Sequence, residues 1–128
     1  MGSKVIVLED DHDLRSMVKE ILEFEGLEVH GFETGKSALE HMKENSLPEI
    51  LLMDLKLPDM SPLELQEEFS QIPGSDKVAL IVASGNSQLE SWAQKLKALT
   101  VLKKPYDMDI LTMTVLSVLD TIPLAGKS

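Results

Sequence analysis

Unbroken apolar runs of four to six residues constrain this chain most. Val5–Leu8, Ile50–Met53 and Val78–Ala83 lack the polar alternation of a half-solvated strand and are too short for buried helices. They read as strands covered on both faces. Between them lie segments with apolar residues at helical spacing. Leu14, Met17, Val18, Ile21 and Leu22 form one stripe, and Gly26 follows as a stop. Thr34 can cap a second helix reaching about Asn45. Ser61-Pro62-Leu63-Glu64 has a capping-box pattern with proline at the first helical position, opening a helix to about Ser70. Pro73-Gly74 reads as a loop. Ser87 and Glu90 suggest another capping box, ahead of the face Leu89, Trp92, Ala93 and Leu96. Asp107 can cap a last helix running to about Asp120. Leu27, Val29 and Gly31 alternate with Glu28, His30 and Phe32, a weak period of two that suits a sheet edge. Thr100–Leu102 is the final strand.

Five strands alternating with five helices predict an α/β fold with a parallel sheet, because each crossover must lay a helix on one face. The edge character of the second strand points to a doubly wound sheet in the order 2-1-3-4-5. With 128 residues, a single domain over residues 4–122 is expected. Met1–Ser3 reads as a cloning remnant or a disordered start, and residues 123–128 as a tail or linker.

The chain has no cysteine, which excludes disulfides, thiolate metal sites and a cysteine nucleophile. A net charge of −10 opposes direct nucleic-acid binding and suits a basic partner or a cation. No apolar run approaches a bilayer-spanning length, so no membrane insertion is expected. The opening residues do not resemble a secretory leader, and a cytoplasmic location is expected.

In an open α/β sheet, ligands bind beyond the carboxyl ends of the strands where the winding reverses, here between strands one and three. Strand one ends at Glu9-Asp10, strand three at Asp54, strand four at Ser84 and strand five at Lys103-Lys104. Singly these features are bland. An acidic pair is often a helix cap, aspartate often opens a loop, and Lys-Pro is often a surface turn. Their coincidence at four strand ends is not bland. Crowded carboxylates repel unless a cation neutralises them, and hard oxygen ligands favour Mg²⁺. A magnesium ion, an ammonium and a hydroxyl could together grip a transferring phosphoryl group, with a carboxylate as nucleophile. No glycine-rich phosphate loop is present, which disfavours a nucleotide donor.

Leu8-Glu9-Asp10-Asp11, Leu52-Met53-Asp54-Leu55-Lys56-Leu57-Pro58, Ala83-Ser84-Gly85 and Lys104-Pro105-Tyr106 resemble the motifs of response-regulator receiver domains of two-component signalling. The resemblance spans essentially the whole chain and implies a flavodoxin-like fold. It implies that Asp54 is the phosphoacceptor and that Asp10 binds Mg²⁺ directly, with Glu9 doing so directly or through water. It further implies that Lys56 offers its backbone carbonyl to the metal, that Ser84 is the switch hydroxyl and that Lys104 is the phosphate-binding lysine. Lys103 is the competing assignment, disfavoured because adjacent strand residues face opposite ways. A cis bond before Pro105 is expected. The donor would be a phosphohistidine on a sensor histidine kinase or phosphotransfer protein. The output would pass to a downstream protein or a fused output domain. Beyond its own phosphorylation and dephosphorylation, with the hydrolysis rate tuned by Lys56 and Asn86, no enzyme activity is implied.

Two departures stand out. Val101 occupies a place where the family usually has an aromatic residue, and Pro62 one where it commonly has glycine. The segment from Ser84 to Lys104 is also short, so a trimmed or displaced fourth helix is expected. Val101 supports an alternative, a phosphorylation-independent interaction scaffold of the same fold. An aspartyl-phosphate hydrolase is disfavoured, since Lys56 stands where such enzymes carry a second acid. His12, His30 and His41 are scattered and suggest no metal set, and Trp92 reads as packing on the sheet. The last helix is apolar over a wide arc from Met108 to Leu119. Its excess is either core or a partner or homodimer surface.

Overall fold

The computed structural model describes residues 3–122. Residues 1–2 and 123–128, and so the expected tail, lie outside the described part; Ser3 lies inside it, its carbonyl accepting the Glu28 N–H at 2.9 Å. The elements are β1 (Lys4–Leu8), α1 (His12–Phe24), β2 (Glu28–Phe32), α2 (Gly35–Glu44), β3 (Ile50–Asp54), α3 (Pro62–Ser70), β4 (Ala79–Ser84), α4 (Leu89–Leu96), β5 (Thr100–Lys103) and α5 (Met108–Thr121). The sheet is parallel throughout, in the order β2-β1-β3-β4-β5. This is the doubly wound, flavodoxin-like α/β architecture expected from the sequence.

Strand alternation divides the core in two. Ile6, Leu8, Leu51, Met53, Leu80 and Val82 meet α2, α3 and α4 on one face. Val5, Val7, Ile50, Leu52, Ile81, Ala83 and Leu102 meet α1 and α5 on the other. Such burial on both faces is why β1, β3 and β4 carry no polar alternation. Weakly alternating β2 lies at an edge.

The caps hold four of the helices in place. Asp11, Thr34 and Asp107 each accept a backbone N–H three residues on, and Ser61 and Glu64 make a reciprocal capping box. Helix α4 differs from expectation. Ser87 caps nothing; the N-cap position is Gln88 and has no side-chain bond. The donors are taken earlier: Ser84 Oγ accepts the Asn86 N–H at 3.0 Å and Asn86 Oδ1 accepts the Gln88 N–H at 2.7 Å. Those turns delay the helix, which has eight residues and is the shortest α-helix of the described part. A single 3₁₀ turn at Ser75–Lys77, masked in the sequence by Pro73-Gly74, moves the start of β4 to Ala79.

Candidate functional site at the strand ends

Strands β1 and β3 are neighbours, but the helices that follow them, α1 and α3, pack on opposite faces, so a cleft opens at their carboxyl ends. Three acids at this end have divided roles. Asp11 caps α1 through the Leu14 N–H at 3.0 Å, which leaves Glu9 and Asp10 for the cleft. Carboxylate oxygens of Glu9, Asp10 and Asp54 lie within 4.8 Å of one another. Glu9 and Asp54 are buried, and Asp10 is exposed.

Lys104 reaches into this cluster. Its Nζ donates to Glu9 Oε1 at 2.7 Å and to Asp54 Oδ2 at 2.8 Å. Lys103 points the other way and is exposed, as the period of two requires. The Lys104–Pro105 bond is cis. Asp54 Oδ1 accepts the Lys56 N–H at 3.1 Å, and Glu9 Oε2 accepts the Asp11 N–H at 3.2 Å. Burial pushes the Glu9 carboxyl above its ordinary range, against the hydrogen bond from Lys104. Burial would lower the Lys104 ammonium, but its bonds to Asp54 and Glu9 prevail and raise it. Burial likewise raises the Tyr106 phenol.

Three carboxylates and one ammonium leave two formal negative charges, the deficit a dication fills. The donors are all hard oxygens, as Mg²⁺ prefers, so the residues fit that ion. Beside them lies an open cavity of about 530 Å³, lined by Asp54, Lys56, Ser84, Asn86 and Lys104 among others. The Ser84 hydroxyl accepts from Asn86 N–H, which leaves its own proton free to donate.

Several participants were not singled out from the sequence. Arg15 Nη1 donates to the Glu9 carbonyl at 2.7 Å, tying α1 to the end of β1. Asp59 receives the N–H groups of Gly35 and Lys36, both at 2.9 Å, and so caps α2 from the loop after β3. Trp92 packs against the core as expected, yet it also lines the cavity that Asp54 and Pro62 line. No local pattern announces contacts made between such distant segments. Val101 is half-buried against the same core cluster. His30 and His41, far apart in sequence, stack with ring centroids 4.9 Å apart. They gain no third ligand, and Glu9, Asp10 and Asp54 are the one acidic or histidine cluster of metal-binding geometry among the described residues.

The profile of the response regulator receiver domain family matches residues 5–116, and the chain belongs to that family. It is 32% identical over 107 residues to the chemotaxis protein CheY of Thermotoga maritima, covering 83% of this chain and 88% of that one. It is 37% identical over 113 residues to the transcriptional regulatory protein CrdR of Helicobacter pylori, covering 85% of this chain but 51% of CrdR. Its fold matches the receiver domain of the sensor histidine kinase PA1611 of Pseudomonas aeruginosa with a TM-score of 0.83, at 18% identity and over 94% of this chain and all of that one. That crystal structure has a magnesium ion coordinated in its active-site cleft. Receiver domains are signalling switches of two-component systems rather than enzymes acting on a separate substrate, and they work with histidine kinases or phosphotransfer proteins and with output domains. No helix among the described residues is long and apolar enough to cross a membrane.

Proposed function

We propose that Asp54 accepts a phosphoryl group from a histidine kinase or phosphotransfer protein, and that this switches binding of a downstream protein or an attached output domain. The observation that carries the reading is the Lys104 ammonium bridging two buried carboxylates from different strands, Glu9 and Asp54, beside an open cavity. Asp54 supplies the nucleophilic oxygen. Glu9, Asp10 and Asp54 hold Mg²⁺, with the Lys56 carbonyl as a further ligand; bound there, the ion neutralises charge on the phosphoryl oxygens. Lys104 and the free hydroxyl proton of Ser84 serve phosphoryl oxygens entering the cavity. Lys56 and Asn86, at its mouth, govern the approach of water to the acyl phosphate. The cellular setting is the cytoplasm, where such donors reside.

Incubation with Mg²⁺ and acetyl phosphate tests this, read by intact mass. The wild-type chain gains one base-labile phosphoryl group. Asp54→Asn, with its fold verified by circular dichroism, gains none. A labelled Asp54→Asn variant would refute the assignment. Partner binding indifferent to Asp54→Asn would return the reading to a phosphorylation-independent scaffold.

A further inference from the structure

Two kinds of surface line the cavity beside Asp54. The polar part comes from strand ends: Asp54 closes β3, Ser84 closes β4 and Lys104 follows β5. The large apolar part comes from helices: Pro62 opens α3, and Trp92 lies in the first half of α4. Trp92 stands three residues after Leu89 and four before Leu96, both buried, so it borders the stripe that seats α4. The indole is half-buried, packing partly on the core and partly lining the cavity. Lys95 Nζ lies over the ring, 4.9 Å from its centroid, and helps to hold it in place.

The cavity is larger than the group that Asp54 is proposed to accept. Three phosphoryl oxygens take about the room of three waters, roughly 90 Å³. The cavity holds about 530 Å³. In-line transfer puts the leaving group on the far side of phosphorus from Asp54, so the remaining space is where that group must sit. An acyl or amino carrier gains nothing from an indole there. An imidazole gains an aromatic contact, and in its protonated form a cation–π contact, for which indole is the best ring. We propose that Trp92, with Pro62, forms a subsite for the ring of an N-phosphoryl imidazole, and so selects ring-borne phosphoryl groups over those on small acyl or amino carriers. This rests on Asp54 being the phosphoacceptor. As the bond from the Asp54 oxygen to phosphorus forms, the P–N bond breaks and its electron pair stays on the ring nitrogen. The proton already on the second ring nitrogen makes the departing imidazole neutral. Trp92 transfers nothing; it holds the ring.

The test compares two small donors with Mg²⁺, phosphoimidazole and phosphoramidate, by the rate of mass gain. Both break a P–N bond, and one has a ring. Trp92→Leu keeps an apolar side chain on α4 and removes the aromatic face. It lowers the ratio of kcat/KM for phosphoimidazole to that for phosphoramidate about fivefold. Trp92→Phe restores most of the ratio. A second measurement needs neither transfer nor a variant of Trp92. In Asp54→Asn, phosphoimidazole changes the emission of Trp92, the one tryptophan, to saturation, and phosphoramidate does not. An unchanged ratio in Trp92→Leu, a ratio as low in Trp92→Phe, or emission that does not saturate overturns the proposal and leaves Asp54 as the acceptor. An unchanged ratio with faster phosphate loss from Trp92→Leu also overturns it, assigning the indole to shielding the acyl phosphate from water. A wild-type chain labelled by neither donor overturns the phosphoacceptor reading and this subsite with it.

Discussion

Replacing Lys104 by methionine keeps the side chain's length and removes its charge. In the folded chain that ammonium sits 2.7 Å from Glu9 and 2.8 Å from Asp54. At an effective dielectric of about 20, each contact is worth about 6 kcal/mol before desolvation. Desolvation of the three groups offsets most of this. Removing one partner, however, leaves two buried carboxylates facing each other uncompensated. Lys104 remains 23% exposed, so water screens part of the loss. The expected net cost is about 2–4 kcal/mol, at the lower side of what breaking a fully buried pair costs. With a urea slope of about 2 kcal/mol per molar, the midpoint in EDTA falls by about 1–2 M. Mg²⁺ reverses more of the deficit in Lys104→Met than it adds to wild type, because the cluster has lost its competing cation. A dissociation constant tenfold tighter adds about 1.4 kcal/mol at saturating ion. Urea titrations of both proteins in EDTA and in Mg²⁺ read all four stabilities. Equal midpoints in EDTA, or no greater gain from Mg²⁺ in the variant, would refute the electrostatic reasoning behind the site.

Asp59→Ala removes a cap that arrives from a distant loop, and is expected to cost about 1 kcal/mol near neutral pH. Burial opposes the charged form of Asp59, but the N–H groups of Lys36 and Gly35 prevail and hold its carboxyl below the ordinary 3.8. A depressed folded value means the stabilisation is present above the unfolded value and is lost as pH falls through the folded one. The gap between wild type and variant in thermal melts therefore closes in acid and persists above about pH 5; a gap independent of pH would show that the cap is not ionic. Trp92, the one tryptophan in the chain, lines the cavity that Asp54 lines. Mg²⁺ with beryllofluoride is expected to change its emission in wild type and not in Asp54→Asn; unchanged emission despite binding seen by fluorine NMR would place the indole away from the ligand.

Much of the rim was legible because strand ends carry their own punctuation. Glu9-Asp10 closes one apolar run, Asp54 another and Ser84 a third, and a doubly wound order brings those ends together. Period-two alternation was enough to prefer Lys104 over Lys103. The Ser87 cap failed for a local reason: Asn86 and Ser84 offered competing acceptors one turn earlier. The 3₁₀ turn at Ser75–Lys77 was invisible because so short an element has no apolar period.

The amino-acid sequence alone determined the elements, their order and the two-sided burial of the sheet, since apolar periodicity acts over neighbouring residues. It also determined which chemical groups reach the carboxyl edge. Tertiary structure decided which of them touch. Lys104 lies 95 residues from Glu9 and 50 from Asp54, and no local pattern encodes such a bond. The cap that Asp59 lends to α2, the indole of Trp92 at the Asp54 cavity and the acid-rimmed groove between α1 and α5 have the same origin. Each arises where packing brings separate segments within a few ångströms, and the free energy of those contacts exists once the sheet has closed around its two cores.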